Sequence, residues 1–164
     1  RGDVGRREVW DLLACAQDWK RRTGGDRPLV ILGWSIEGLY TLLALARDDP
    51  PWDGGVVMAP LARIEILNKI WPWALSEDPV EREAALVERS PVEQAHKIRV
   101  PVRMFHGGRD EMSNVEDVRE IQRRIVAAGG ECVLTVYEDD IHLLGRHRDE
   151  ITSETLAFLA GFEQ

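Results

Sequence analysis

The sequence predicts an α/β fold in which a mostly parallel sheet carries helices on both faces. Two observations favour this class. Short apolar runs that are typical of buried strands alternate along the chain with segments whose apolar residues recur at spacings of three and four, as on one face of a helix. The predicted strands are residues 29–34, 54–59, 100–106 and 132–137. Each is too short to be a long helix, and glycine or proline residues flank them.

Helices are predicted before, between and after these strands. The first covers residues 6–22, and its buried face is expected to contain Val9, Leu12, Leu13, Ala16 and Trp19. A capping box of Ser113 and Glu116 is expected to start another helix that ends near residue 128. The remaining predicted helices are 36–47, 64–71, 81–88 and 149–162. The irregular stretch 61–98 is interpreted as packing and connection, with a small lid or pocket wall as the alternative.

Composition excludes several classes of protein. The chain has 164 residues, which suits a single domain, and its net charge of −8 disfavours binding to nucleic acid or to an anionic membrane. No apolar run is long enough to cross a membrane. Cys15 and Cys132 lie in apolar patterns, so both are expected to be buried thiols of a cytoplasmic protein. No metal-ligand spacing and no phosphate-binding glycine loop occurs, so no cofactor is expected.

The most informative segment is the predicted strand 29–34 together with the helix that follows it. Between them stands Gly33-Trp34-Ser35-Ile36-Glu37-Gly38. A strand, a glycine, a serine at a sharp turn and then a helix are typical of a nucleophile elbow, where small residues let the helix pack back against the strand. The second small residue usually stands two positions after the serine, but here that position holds Glu37 and the glycine follows as Gly38.

Three residues after different strands suggest a catalytic site. Ser35 follows the first strand, Asp110 the third and His142 the fourth, so all are expected at the carboxyl edge of the sheet. A serine hydroxyl needs a base to become a nucleophile, and His142 would accept its proton while Asp110 orients the imidazole. The N–H of Ile36 would form part of an oxyanion hole. The chain order Ser, Asp, His is that of α/β-hydrolases.

Other residues could take these roles. Asp117, Asp139 and Asp140 compete with Asp110 for the acid, and His147 competes with His142 for the base, although its arginine neighbours suggest a solvated surface. Ser35 itself could be an ordinary turn serine. His106 is interpreted as a structural residue, His96 as a surface residue and Trp34 as a packing residue.

The motifs resemble those of the prolyl oligopeptidase family of serine peptidases. The resemblance rests on Gly-Trp-Ser at 33–35, on the approach to the third strand at 90–102, on Phe-His-Gly-Gly-Arg-Asp at 105–110 and on Tyr-Glu-Asp-Asp-Ile-His at 137–142. It implies an α/β-hydrolase catalytic domain that cleaves peptide bonds through a Ser35–Asp110–His142 triad and an acyl-enzyme. A carboxylesterase of the same fold and a non-catalytic remnant are the alternatives.

Two departures from the family pattern qualify this interpretation. Glu37 replaces a glycine, and its side chain is expected to crowd the elbow. The family also has strands ahead of the nucleophile strand, and none is evident here. Residues 1–164 are therefore expected to be a partial catalytic domain without a substrate-gating propeller. The strand 29–34 would then have an unpaired apolar edge, which favours a homo-oligomer or pairing with a missing N-terminal segment.

Overall fold

A parallel sheet organises residues 2–162, the part of the chain that the computed structural model describes. Its strands, in spatial order as in chain order, are β1 (Val30–Trp34), β2 (Gly54–Met58), β3 (Val102–Gly107) and β4 (Cys132–Tyr137). Each adjacent pair is parallel, with Trp34 opposite Met58 and Gly107 opposite Tyr137 at the carboxyl edge. The predicted α/β class and the positions of the strands are confirmed.

Helices connect and flank these strands. In chain order they are α1 (Arg7–Thr23), α2 (Ile36–Leu45), α3 (Glu65–Ile70), α4 (Pro79–Glu88), α5 (Pro91–Gln94), α6 (Val115–Ala127) and α7 (Arg148–Ala160), with a 3-10 helix at Ala95–Lys97 after α5. The helix α2 follows β1 after one residue, and α6 follows β3 after a loop, as the alternating pattern predicts. Short β-strands joined in this way bury both faces of the sheet.

Alternate strand residues supply the cores on the two faces. Val57 and Met104 belong to the larger core, which also contains residues of α2 and α6. Val56 and Phe105, one position away in each strand, belong to a second core together with Ile151 of α7. Successive strand side chains point to opposite faces, and the inner strands β2 and β3 are buried on both sides, whereas the edge strands β1 and β4 are buried only in part. Helices on both faces are therefore confirmed.

Several local predictions are wrong, for reasons that lie in tertiary contacts. The capping box is not formed, since α6 begins one residue later than expected and the Ser113 hydroxyl donates to the Pro60 carbonyl at 2.6 Å. Asn114 caps α6 instead, by accepting the N–H of Glu116 at 2.9 Å. Trp19 is 50% exposed although the periodicity placed it on the buried face of α1. Cys15 is also exposed, whereas Cys132 is buried as expected.

β1 lies at one edge of the sheet, and within residues 2–162 its outer side pairs with no strand. Leu32 is 53% exposed and Trp34 is 37% exposed on this strand. Within the same residues, no helix is both long and apolar enough to cross a membrane.

Candidate active site

Ser35 occupies a strained turn between β1 and α2. Its φ of 58° and ψ of −118° lie outside the regions that L-residues ordinarily adopt. The backbone around it holds this conformation, because the Ser35 N–H donates to the Met58 carbonyl at 2.9 Å and the Ser35 carbonyl accepts the Leu61 N–H at 3.2 Å. The strain turns the side chain out at the carboxyl edge of the sheet, as a nucleophile elbow requires.

Two glycines make the turn possible. A Cβ on Gly33 would lie 2.4 Å from the Glu37 carbonyl oxygen, and a Cβ on Gly38 would lie 2.9 Å from a methyl group of Val57. Gly38 therefore provides the close approach of α2 to β2 at a position one residue later than usual. Glu37 is exposed, so the expectation that its side chain crowds the elbow is wrong.

The structure joins Ser35, His142 and Asp110 in one hydrogen-bonded chain. The Ser35 hydroxyl lies 2.7 Å from Nε2 of His142, and Nδ1 of His142 lies 2.7 Å from Oδ2 of Asp110. A carboxylate accepts, so Nδ1 carries the ring proton and Nε2 is free to accept from the serine. This arrangement can withdraw the serine proton and stabilise the resulting imidazolium.

Asp110 is buried and fully hydrogen-bonded. Its side chain is 0% exposed, and its Oδ1 accepts the N–H groups of Met112 at 2.8 Å and Ser113 at 3.0 Å. Burial raises the pKa of Asp110, but the hydrogen bonds from His142 and from the two backbone N–H groups outweigh burial and hold the pKa below its ordinary value. The carboxylate therefore remains charged beside the imidazole at neutral pH.

The loop between β4 and α7 places His142, and two glycines of β3 and its end let the loop approach. A Cβ on Gly107 would lie 2.6 Å from the Asp140 carbonyl oxygen, and a Cβ on Gly108 would lie 2.7 Å from the Glu138 Cα. Asp140 organises the loop itself. Its carboxylate accepts the N–H groups of Ile141 at 2.9 Å and Arg146 at 3.0 Å.

Trp34 also contacts this loop. Its indole Nε1–H donates to the carbonyl of His142 at 3.3 Å, which links the residue before the serine to the backbone of the histidine. Trp34 is therefore more than the packing residue that sequence reasoning expected. Neither Trp34 nor Asp140 could be recognised as a loop anchor from its type or spacing, because both bonds depend on how the loop folds.

The competing candidates lie in other interactions. Asp117 bonds to Arg63 at 3.0 Å, and Asp139 bonds to His147 at 3.0 Å. His147 lies at the surface, as expected, with its side chain 21% exposed, and its ring stacks on Tyr137 with 4.1 Å between ring centroids. The hydrogen bond to Asp139 raises the pKa of His147. His96 is exposed, as expected.

The N–H of Ile36 is the first of α2, and first-turn N–H groups have no acceptor within their own helix. It follows directly after Ser35, so it is available to a negatively charged oxygen bound at the serine. The structure shows this position, and its role in an oxyanion hole stays a prediction.

A parallel sheet with helices on both faces and a serine in a strained strand-to-helix turn at its carboxyl edge are the architecture of the α/β-hydrolase class. The chain belongs to the prolyl oligopeptidase family, whose sequence model matches residues 1–163. A search of curated proteins gave no match to this chain.

Solved structures share the fold at low sequence identity. Dipeptidyl peptidase 4 from Porphyromonas gingivalis has a TM-score of 0.86 and 21% identity, and the match covers 98% of this chain and 23% of that one. The acylaminoacyl peptidase from Pyrococcus horikoshii has a TM-score of 0.79 and 20% identity, and the match covers 96% of this chain and 28% of that one. An esterase from Pyrococcus furiosus has a TM-score of 0.74 and 20% identity, and the match covers 98% of this chain and 64% of that one. The chain thus spans less than a third of the length of these two peptidases.

Proposed function

We propose that the chain carries the catalytic triad of a serine peptidase, with Ser35 as nucleophile, His142 as general base and Asp110 as the acid that orients the base. The observation that carries this proposal is the continuous chain of two 2.7 Å hydrogen bonds from Ser35 to Asp110. It is supported by the strained backbone of Ser35, which presents the hydroxyl at the edge where such sites form.

The reaction would proceed by acyl transfer. The Ser35 oxygen attacks the carbonyl carbon of the substrate while His142 Nε2 takes the hydroxyl proton, and the Ile36 N–H stabilises the oxyanion. His142 then gives the proton to the leaving group, which leaves an acyl-enzyme on Ser35. Water, deprotonated by the same histidine, releases the acid. Asp110 keeps the imidazole in the required tautomer throughout.

Mass spectrometry after treatment with a fluorophosphonate probe tests the triad. The proposal expects one adduct, on Ser35, and none in Ser35→Ala. Ser153→Ala is the matched control, because Ser153 is an exposed serine of α7 remote in sequence from the elbow. This control is expected to be labelled at the wild-type rate. A folded wild-type chain that takes no adduct would contradict the proposal and would favour the non-catalytic remnant.

Peptidase and esterase activity need a separate measurement, because one triad can cleave both bonds. Peptide substrates are proposed, since this chain is similar to two peptidases over nearly its whole length. The esterase is the second candidate because its fold also covers 98% of this chain. Turnover of peptidyl p-nitroanilides would support the first candidate. Turnover of p-nitrophenyl esters alone, abolished in Ser35→Ala, would favour the second.

A cytoplasmic location is also proposed. It is supported by two free cysteines, since unpaired thiols persist in a reducing compartment. Fractionation of the source cells with an antibody to the chain tests the proposal, and recovery from the culture medium or the cell envelope would contradict it.

A further inference from the structure

His106 is a second histidine at the acid of the candidate triad. It lies at the penultimate position of β3, and its side chain is 0% exposed. Its Nε2 is 3.4 Å from Oδ2 of Asp110, the same oxygen that accepts from His142. The triad as proposed leaves this buried titratable group without a role.

Hydrogen bonding fixes the tautomer of His106. Its Nδ1 lies 2.9 Å from the carbonyl oxygen of Gly107, and a carbonyl can only accept, so Nδ1 carries the proton. In the neutral ring Nε2 is then an unprotonated acceptor. It is buried and has no hydrogen-bond partner among the described residues, and it faces the carboxylate of Asp110.

The charges around the ring are few. Asp110 and His142 face it from the two loops, and Arg119 of α6 contributes from farther away. Arg119 is itself paired, at 3.2 Å from both Glu116 and Glu138. Burial is the largest effect on His106 and lowers its pKa, against the opposing attraction of Asp110. The ring is therefore neutral at neutral pH.

We propose that neutral His106 is a positioning residue that raises the proton affinity of His142 by turning the negative end of its imidazole dipole toward the Asp110–His142 pair. The inference rests on the proposed function of that pair. A negative partial charge beside Asp110 favours the imidazolium form of His142, which develops as Ser35 is deprotonated. Protonation of His106 reverses the effect, because a second cation then shares the carboxylate and opposes a charge on His142.

Nitrogen-15 NMR of the histidine rings tests the tautomer without any requirement for activity. At neutral pH the Nδ1 of His106 is expected to be protonated, and its Nε2 is expected to show the shift of an unprotonated nitrogen. A protonated His106 Nε2, at a pH where His142 is neutral, overturns the inference. Because this readout needs no turnover, it remains informative if Ser35 fails to react with the fluorophosphonate.

Two substitutions then test the effect on His142. His106→Phe removes the dipole, and His106→Gln offers an amide N–H to Asp110, which reverses it. The midpoint of the His142 ring titration is expected to fall by about half a pH unit in His106→Phe and further in His106→Gln. The midpoint for fluorophosphonate labelling of Ser35 is expected to shift in the same order. His96→Gln, at an exposed histidine, is the control and leaves both midpoints unchanged.

The order of the shifts separates an electrostatic role from a packing role. Unchanged or raised midpoints in folded variants overturn the inference, even where the labelling rate falls. His106→Gln decides the question if His106→Phe does not fold, because a downward shift in that variant supports the dipole and its absence refutes it. If the wild-type chain is not labelled, but NMR shows the expected His106 tautomer and the expected shifts of the His142 ring titration, the proposed function is overturned and the electrostatic coupling stands.

Discussion

At the scale of single residues, the elbow depends on where side chains are absent. Ser35 holds a positive φ, which costs an L-residue roughly 1–3 kcal/mol. The surrounding backbone tolerates this strain only because Gly33 and Gly38 let α2 lie against β1 and β2. Glu37, which replaces the expected glycine, stays in solvent. The close approach has therefore moved one position along the helix without loss of the turn.

Gly38→Ala is expected to destabilise the protein by about 1–3 kcal/mol, because the added methyl group meets Val57 and the backbone of Pro60, where neither can move freely. This cost exceeds the gain of about 1 kcal/mol that alanine brings to a helix interior. Glu37→Ala is the control and is expected to change stability by no more than about 0.5 kcal/mol. Urea unfolding measures both. Equal stabilities of the two variants would contradict the packing role of Gly38.

The two cysteines are expected to differ in reactivity. Cys15 is exposed, whereas Cys132 is 6% exposed and burial raises its pKa to about 12. The thiolate is the reactive form, so Cys132 should resist alkylation. Treatment of the native chain with iodoacetamide at pH 8 should give one adduct, on Cys15, and a second only in urea. Rapid modification of native Cys132 would show that β4 opens readily.

At the scale of elements, the site depends on the loop between β4 and α7. Three separate contacts hold it: the approach to Gly107 and Gly108, the turn built by Asp140, and the indole bond from Trp34. The first joins the loop to β3, the second lies within the loop and the third joins it to β1, so the position of His142 depends on the folded edge of the sheet. A substitution that loosens the loop should therefore displace His142 while the rest of the fold stays intact.

Trp34→Phe tests this anchoring. It removes the N–H that donates to the His142 carbonyl, and a single neutral hydrogen bond contributes about 0.5–1.5 kcal/mol. The rate of fluorophosphonate labelling is expected to fall by about two- to tenfold, and hydrogen exchange in residues 138–146 should accelerate. Trp19→Phe, at an exposed tryptophan of α1, is the control. Identical exchange in the two variants would show that Trp34 does not anchor the loop.

The elements also show what sequence can and cannot predict. The strands were recognisable as four short apolar runs flanked by glycine or proline, and their ends placed Ser35, Asp110 and His142 at one edge. The helix cap at Asn114 was missed because the Ser113 hydroxyl, which was expected to cap α6, instead donates to the carbonyl of Pro60, 53 residues away. The short helical turns at Pro91–Gln94 and Ala95–Lys97 were missed for a related reason, since too few residues carry a period there.

At the scale of the whole molecule, acid pH should weaken the fold through His106. Its pKa is lowered in the folded state, so below the ordinary histidine value of 6.5 the unfolded chain binds a proton that the folded chain does not. The contribution of neutral, buried His106 to the free energy of unfolding is fully present above pH 6.5 and is lost as the pH falls from 6.5 toward the pKa of His106 in the folded chain. For one proton the slope is at most about 1.4 kcal/mol per pH unit.

Asp110 affects stability in a lower pH range than His106. Asp110, whose pKa is lowered, contributes stability above its ordinary value of 3.8 and loses it at still lower pH. Urea unfolding of wild type and His106→Gln at pH 7.5 and 5.0 isolates the histidine. The stability of the wild type relative to the variant should decrease at pH 5.0. A constant difference between the two proteins would show that His106 binds its proton equally in both states.

The outer edge of β1 is expected to cause self-association of this 164-residue chain. The strand is apolar, Leu32 is 53% exposed, and within residues 2–162 the edge is unpaired, which favours pairing with a second copy. Analytical ultracentrifugation is expected to show concentration-dependent dimers or larger species. Leu32→Lys should shift them toward monomer, because a charge on an edge strand opposes pairing.

Leu156→Lys is the control, since this leucine is 61% exposed but belongs to α7 and not to the edge strand. If association survives Leu156→Lys and not Leu32→Lys, the contact runs through β1. A wild-type chain that is monomeric at every concentration would contradict pairing through the edge of β1. Dissociation by Leu156→Lys alone would place the contact on α7 and contradict strand pairing.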